Sequence, residues 1–359
     1  MTSGLKTPIA AMLCACAIGT CHAQAQDSDD AFLPSPVRTV STMPANGDQN
    51  LYGVAFVPSN FPTGSGPLKH GDILISNFNN SQNLQGTGTT IVRVPAVGSP
   101  TVFFQGNAGL GLSTALGTLQ YEFVVVGNAP TTDGTSATAK QGSLLVINNQ
   151  GKLVQAITDA TIQYPWDMGL IDEGNQAIAF VPIAVTGTVS RLNFQVSASG
   201  LKLLNATIIG SGYVHRGDPV ALFVAPTGLV YDFQRNLLYV ASTGDNAVFA
   251  IPDPVARTLD AGTGFVIYED NVRLHGALGL AAAPNGHLLV TNNDTVNPDP
   301  NQPSEIVEFT KDGRFVKELS VDPSPGGSFG AAIKVNGDQA TFAAVDDNTA
   351  SLIIWTLPE

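Results

Sequence analysis

The sequence has 359 residues, of which 43% are hydrophobic and 13% are charged, so a large core can form and a chain disordered throughout is excluded. The formal net charge is −13 and no run of Lys or Arg occurs, which excludes nucleic acid as a partner because its phosphates would be repelled. The 37 Gly and 23 Pro residues indicate many short strands separated by tight turns.

The N-terminus has the pattern of a secretory signal peptide over residues 1–25. Lys6 precedes an apolar stretch at 8–18, and Ala23-Gln24-Ala25 forms a cleavage-type site. The stretch is too short for a permanent anchor, so we expect a periplasmic or extracellular protein with no transmembrane segment. A lipoprotein cleavage box at 13–16 is the weaker alternative, because the apolar region before it would be very short. The predicted mature chain lacks cysteine, since all cysteines of the sequence precede residue 25: Cys14, Cys16 and Cys21.

A short apolar strand recurs about every fifty residues along the rest of the chain, usually followed or ended by a small polar residue. Its six copies lie at 72–76, 122–126, 177–181, 237–241, 287–291 and 340–345. Each copy has room for four short strands, and turns such as Lys311-Asp312-Gly313 favour a hairpin between the last two. The repeat predicts an all-β fold, a six-bladed β-propeller with four antiparallel strands per blade.

The predicted propeller forms a single domain over residues 26–359. Its blades are expected near 50–105, 110–158, 164–210, 225–268, 274–320 and 326–357. The first strand of several copies carries small residues, as at Gly53-Val54-Ala55, Met168-Gly169-Leu170 and Gly330-Ala331-Ala332, which suits strands that converge on the propeller axis. The last copy ends after three strands, so an N-terminal strand at 37–42 is expected to close the last blade and remove an exposed edge.

The chain resembles the NHL-repeat class of propellers and, more broadly, the six-bladed superfamily that includes gluconolactonases and paraoxonases. The resemblance rests on residues 51–55, on 228–233 followed by 238–242, and on 278–281 followed by 285–290. It departs from the NHL pattern in its longer blades and in the Asn or Ser that replaces the usual Asp after most second strands. The resemblance implies the fold and, for the lactonases, a catalytic metal held by Asn and acidic ligands.

Four long connections are predicted on one face of the propeller, at residues 78–88, 129–141, 210–226 and 293–303. Loops of this length usually have a task. The opposite face is expected to carry short hairpins, so the functional site is predicted on the face with the long loops.

Four polar residues follow second strands and occupy equivalent predicted positions around the axis: Asn77, Asn128, Asn292 and Asp346. Amide and carboxylate oxygens that converge on an axis suit a hard cation, so these four are the candidate ligands of a Ca²⁺ ion. The alternative is that the Asn side chains cap turns and bond backbone groups.

Five residues just before or within first strands are expected to surround the axial mouth and bind a ligand: Tyr52, Trp166, Asp167, His275 and Phe329. His275 is also the candidate catalytic base, against the alternative of a structural or exposed histidine. Tyr52 and Trp166 could stack on a flat ligand or plug the channel as core aromatics. Asp294, Asn297 and Asp299 lie in a Pro-rich loop that we interpret as a rigid solvated turn.

Two functions fit these patterns. The first is an exported scaffold that binds a small molecule, a glycan or a protein through the loop face. The second is a Ca²⁺-dependent hydrolase or lactonase with its metal at the axial mouth. The absence of a paired-His motif and of a phosphate loop favours the first. A closed propeller can complete its core alone, so a monomer is expected.

Overall fold

The structure is a computed structural model that describes residue 1 and residues 30–33, 38–64 and 66–358. The rest of the predicted signal peptide, with its three cysteines, lies outside the described residues. Six four-stranded antiparallel sheets form the six blades, and the predicted fold class is confirmed. The strands, numbered in chain order, are β1 Arg38–Ser41, β2 Gln49–Phe56, β3 Ile73–Asn79, β4 Thr90–Val94, β5 Thr101–Gln105, β6 Leu112–Leu119, β7 Phe123–Asn128, β8 Ser143–Asn148, β9 Leu153–Ile157, β10 Gly169–Asp172, β11 Gln176–Ile183, β12 Thr188–Ser197, β13 Gly200–Gly210, β14 Arg216–Asp218, β15 Leu222–Val224, β16 Pro226–Asp232, β17 Leu237–Ser242, β18 Ala247–Pro252, β19 Phe265–Glu269, β20 Ala277–Ala282, β21 His287–Asn292, β22 Glu305–Thr310, β23 Phe315–Ser320, β24 Ser328–Val335, β25 Gln339–Asp346 and β26 Ser351–Pro358.

Blades 1 to 5 are consecutive meanders that start at β2, β6, β10, β16 and β20. Blade 6 consists of β24, β25 and β26 with β1 as its outermost strand. Strand β1 pairs antiparallel with β26, from Arg38 opposite Ile354 to Ser41 opposite Ser351. The N-terminal strand therefore covers the edge of β26, as the sequence predicted, although Val37 lies outside the described residues. In the described part of the chain, no helix is both long and apolar enough to cross a bilayer.

The core lies between neighbouring blades, and this explains the continuous apolar second strands. Leu74 packs into a cluster shared with blade 2, whereas Ile75 packs into a cluster shared with blade 6. Successive side chains of a strand point to opposite faces of the sheet, so a strand buried on both faces needs apolar residues at every position. Leu288 and Leu289 divide in the same way between blades 4 and 6.

Glycines on the inner strands allow those strands to approach one another at the axis. A Cβ at Gly53 would lie 2.6 Å from the Thr114 carbonyl oxygen of blade 2, and a Cβ at Gly330 would overlap the Tyr52 carbonyl oxygen of blade 1. Gly169 differs, since the nearest atom to its Cβ would be 3.8 Å away. The small residues predicted at the axis are thus sterically required at Gly53 and Gly330, while Gly169 has room for a side chain.

The small polar residues at the ends of second strands join consecutive blades. Ser76 Oγ accepts a hydrogen bond from Gly53 N–H at 3.0 Å and donates to the Ser113 carbonyl of blade 2 at 2.7 Å. Thr291 Oγ1 likewise accepts from Gly279 N–H at 2.8 Å and donates to the Phe329 carbonyl of blade 6. These hydroxyls satisfy backbone groups that the bulged inner strands leave outside the sheet ladder.

Two connections on the face opposite the predicted site are long, so the expectation that it carries only short hairpins was wrong. Residues 57–72 join β2 to β3 there. Residues 253–264, which join β18 to β19, leave from the same face and extend to hydrogen bonds with Ser211 and Tyr213. The predicted loop at 210–226 is also more ordered than expected, because β14 and β15 pair in an additional hairpin. Neither feature follows from the repeat, since insertions between strands leave the apolar strand pattern unchanged.

Candidate functional site

Three of the four predicted loops contact one another on one face of the propeller. Thr131 Oγ1 donates to the Gln85 carbonyl at 2.5 Å, and Gln85 Nε2 donates to the Val220 carbonyl at 2.7 Å. Strand β14 also packs beside the short 3₁₀ turn at Ser136–Thr138. The connections of blades 1 and 2 and the β14–β15 hairpin therefore form one continuous surface.

A cluster of aromatic rings lies between this surface and the axis. The Tyr52 ring lies 4.8 Å from Phe329 and 5.8 Å from Trp166, the latter edge-on. From the β14–β15 hairpin, Leu222 packs into the same cluster and the Phe223 ring lies 4.9 Å from Tyr164. Tyr52 and Trp166 are 3% and 1% exposed. In this arrangement the rings contact one another and close the mouth of the channel.

A cavity of about 30 Å³ remains on the axis, lined by residues of all six blades. This space suits about two water molecules. Its charged residue is Asp167, whose Oδ1 accepts from Met168 N–H at 2.8 Å and whose Oδ2 accepts from Leu229 N–H at 3.1 Å. Burial raises the pKa of Asp167 to about 7, and the two hydrogen bonds only partly oppose this shift. Asp167 is therefore a carboxyl that changes charge near neutral pH.

The four candidate calcium ligands occupy equivalent register positions. Asn77, Asn128, Asn292 and Asp346 lie opposite Leu51, Leu112, Ala277 and Ser328 at the starts of their inner strands.

The hydrogen bonds of these four side chains do not join them to one another. Asn77 Nδ2 donates to Thr90 Oγ1 at 2.9 Å, and Asn128 donates to the Leu110 carbonyl. Asn292 donates to the Arg273 carbonyl at 2.7 Å, and Asp346 accepts from Thr349 Oγ1 at 2.6 Å. The Oδ1 atoms of Asn77 and Asn292 are buried without a hydrogen-bond partner.

His275 lies in a buried polar cluster of blade 5 and is not among the residues that line the axial cavity. Its Nε2 donates to the Val272 carbonyl at 3.0 Å, which leaves Nδ1 as the unprotonated nitrogen of the neutral ring. Nδ1 lies 3.2 Å from Glu305 Oε1 and 3.9 Å from Asp294 Oδ1, and it accepts a hydrogen bond of 3.2 Å from Asp299 N–H. The side chains of His275, Asp294 and Glu305 are at least 98% buried.

The two carboxylates of this cluster differ in their hydrogen bonding. Asp294 Oδ2 accepts from Ser304 N–H at 2.8 Å and from Gly326 N–H at 2.9 Å, whereas its Oδ1 has no partner. Neither oxygen of Glu305 accepts a well-formed hydrogen bond. Burial raises the pKa of Glu305 to about 8 and the Asp294 charge adds to the rise, while weak contacts with its own backbone and the Asn292 amide partly oppose it.

The interpretation of residues 294–299 as a solvated turn was wrong for Asp294, which is buried. Glu305 was missed because it occupies the first position of a strand that also carries Glu308, so its charge alone does not single it out. The topology of a blade could have identified it. His275 precedes the first strand, Asn292 ends the second and Glu305 begins the third, and in an antiparallel meander these points lie at the same end of the sheet.

No family model matches the chain, and no curated protein matches it. Its fold is similar to that of a luciferin-regenerating enzyme, with a TM-score of 0.56 and 11% identity over 90% of this chain and 96% of that one. It is also similar to the major Malassezia sympodialis allergen Mala s 1, with a TM-score of 0.50 and 14% identity over 88% and 96% of the two chains. A calcium-binding protein of Agrobacterium tumefaciens, regucalcin, gives a TM-score of 0.49 and 14% identity over 88% and 92%. The first two likenesses agree with the six-bladed propeller fold.

Proposed function

We propose that this chain is an exported binding propeller that recognises a ligand on the surface formed by residues 78–88, 129–141 and 210–226, here named the loop face. The observation that carries this proposal is the closed axial mouth. The aromatic cluster and the β14–β15 hairpin cover the channel, and the cavity behind them has room for about two waters only. A broad outer surface is thus available for a glycan or protein, whereas the axis offers a small molecule little space.

The exposure of the hairpin supports the same surface. Val220 lies at the tip of the hairpin and is 77% exposed, although its carbonyl is fixed by Gln85. A rigidly held apolar side chain loses little conformational entropy when a partner covers it, so it suits a contact at the centre of a binding surface.

The proposal is tested with glycan and peptide arrays probed with the purified chain. Once a ligand is found, Val220→Glu is expected to weaken its binding at least tenfold, because the charge would be buried against the ligand. Val97→Glu is the matched control: Val97 is 91% exposed and lies in the turn between β4 and β5, on the opposite face. A ligand that is lost in Val97→Glu and retained in Val220→Glu would place binding on the other face and refute the proposal.

A calcium-dependent hydrolase remains the second candidate, supported by the unpartnered Oδ1 atoms of Asn77 and Asn292. It predicts Ca²⁺-dependent turnover of lactones or esters that Asn77→Ala and Asp346→Ala both abolish. We expect no turnover above background in that panel with or without Ca²⁺. Turnover that these two variants eliminate would replace the binding proposal by the enzymatic one.

A further inference from the structure

The buried cluster in blade 5 has an electrostatic imbalance that its hydrogen bonds do not correct. Asp294 and Glu305 place two carboxyl groups in the interior, and their ligand atoms lie within 4.8 Å of each other and of His275 Nδ1. Burying two like charges at this distance is strongly unfavourable unless a proton or a cation compensates them. Three oxygens of these carboxyls accept no well-formed hydrogen bond: both oxygens of Glu305, and Asp294 Oδ1, which lies 3.9 Å from His275 Nδ1.

We propose that His275 Nδ1, Asp294 Oδ1 and the Glu305 carboxylate bind one divalent transition-metal ion, for which Zn²⁺ fits best. The site lies within blade 5 and is distinct from the axial ring of Asn77, Asn128, Asn292 and Asp346.

The orientation of the ligands supports a metal site. His275 donates its Nε2 proton to the Val272 carbonyl, so Nδ1 carries the lone pair. This lone pair accepts a hydrogen bond of 3.2 Å from Asp299 N–H, which a metal ion between His275 and the two carboxyls would displace. Asp294 is fixed through Oδ2 by two backbone N–H groups, which leaves Oδ1 for the metal. Metal-binding histidines and carboxylates are usually oriented by such outer hydrogen bonds.

The spacing and the donor types favour zinc over calcium. Tetrahedral zinc with bonds of about 2.0–2.1 Å holds its ligand atoms about 3.3 Å apart. Nδ1 lies 3.2 Å from Glu305 Oε1 and 3.9 Å from Asp294 Oδ1, so small side-chain movements would bring these three donors to tetrahedral spacing. The fourth position would be taken by the second Glu305 oxygen or by a water. Calcium requires six to eight oxygen ligands, whereas an imidazole nitrogen suits transition metals.

A metal at this point would connect three segments of blade 5. His275 precedes β20, Asp294 begins the connection between β21 and β22, and Glu305 begins β22. The three ligand side chains are at least 98% buried, which leaves a substrate no access to a metal held between them. The expected role is therefore to fix the 293–304 connection on blade 5.

The test measures zinc binding and thermal unfolding of the full chain after treatment with EDTA and dialysis. One equivalent of Zn²⁺ is expected to bind, and zinc at a hundredfold excess over its Kd is expected to raise the Tm by about 4 °C. Ca²⁺ at the same concentration is expected to give no shift. Glu305→Gln should abolish the bound equivalent and the shift. Asp299→Asn, which alters a carboxylate of the same loop outside the cluster, should preserve both.

The competing explanation is a proton shared between Glu305 and His275. In that case the dialysed wild type would take up no Zn²⁺ or Mn²⁺, EDTA would leave its Tm unchanged, and Glu305→Gln would unfold at the wild-type temperature. That set of results would overturn the metal site. Zinc uptake that Glu305→Gln leaves intact would place the ion elsewhere and would also refute it.

Discussion

Replacing Gly330 by alanine tests the steric argument for the propeller axis. A Cβ at this position would overlap the Tyr52 carbonyl oxygen, whereas real Cβ atoms essentially never come closer than 3.0 Å to such an atom. The obstacle is backbone, so relief requires the inner strands of blades 6 and 1 to separate by roughly 1 Å or more, beyond what side-chain rearrangement provides. Overpacking of a well-packed interior costs about 1–3 kcal/mol, and this contact belongs at the upper end of that range or above it.

The assay is equilibrium unfolding in urea, with Gly169→Ala as the matched control. Both glycines lie on inner strands, but the nearest neighbour of a Cβ at Gly169 would be 3.8 Å away, and alanine reduces the conformational freedom of the unfolded chain. We expect Gly330→Ala to lose about 3 kcal/mol and Gly169→Ala to lie within about 1 kcal/mol of wild type. If Gly330→Ala unfolds at the same urea concentration as wild type, the close approach of blades 6 and 1 is incorrect.

Three further predictions address protonation, the interblade hydroxyls and ring closure. The pKa of Asp167 is about 7 in the folded protein against 3.8 in the unfolded chain, so between these values the folded state retains a proton that the unfolded chain loses. The contribution of Asp167 to the free energy of unfolding therefore falls as the pH rises from about 4 to 7. Urea titrations across that range should show a smaller fall in the free energy of unfolding for Asp167→Asn than for wild type. Thr291→Val should cost about 2–4 kcal/mol because Gly279 N–H and the Phe329 carbonyl lose their partner, whereas Thr291→Ser, which keeps the hydroxyl, should retain most of the stability in the same assay. Deleting residues 1–41 removes β1 and exposes the backbone of β26, so light scattering should detect association that a chain starting at residue 30 does not show.

The fold was readable from the sequence because each second strand is buried on both faces. Such a strand must be apolar at every position, and six of them at a regular spacing leave few architectures other than a propeller. The residues after these strands were readable for the same reason, since the position where a strand leaves the core is fixed by the repeat. The hydrogen-bond partners of those residues could not be predicted from the sequence. Asn77 and Asn128 bond within their own blades, and their side-chain direction depends on local contacts that the repeat does not encode.

The side-chain partners in the candidate site were also not predictable from the sequence. His275 was identifiable as a histidine beside an inner strand, yet its partners come from two other points of the same blade. Asp294 was interpreted as solvated because its loop is rich in Asp, Asn and Pro, a composition typical of exposed turns. The buried Asp294 carboxylate accepts hydrogen bonds from the Ser304 and Gly326 N–H groups. Both donors are distant in sequence, so no local sequence pattern predicts them.

The axial mouth around Asp167 and the blade 5 cluster around His275 were predicted as one site, but their buried charges differ. At the axis, Asp167 is a single carboxyl with two hydrogen bonds, and one proton is enough to neutralise it. In blade 5, two carboxyls share a small space with an imidazole, and one proton would still leave a buried negative charge beside unpartnered oxygens. A divalent cation neutralises both carboxylates at once and supplies the missing partners. We therefore expect a bound metal within blade 5, while the axis serves as packed structure behind the loop face.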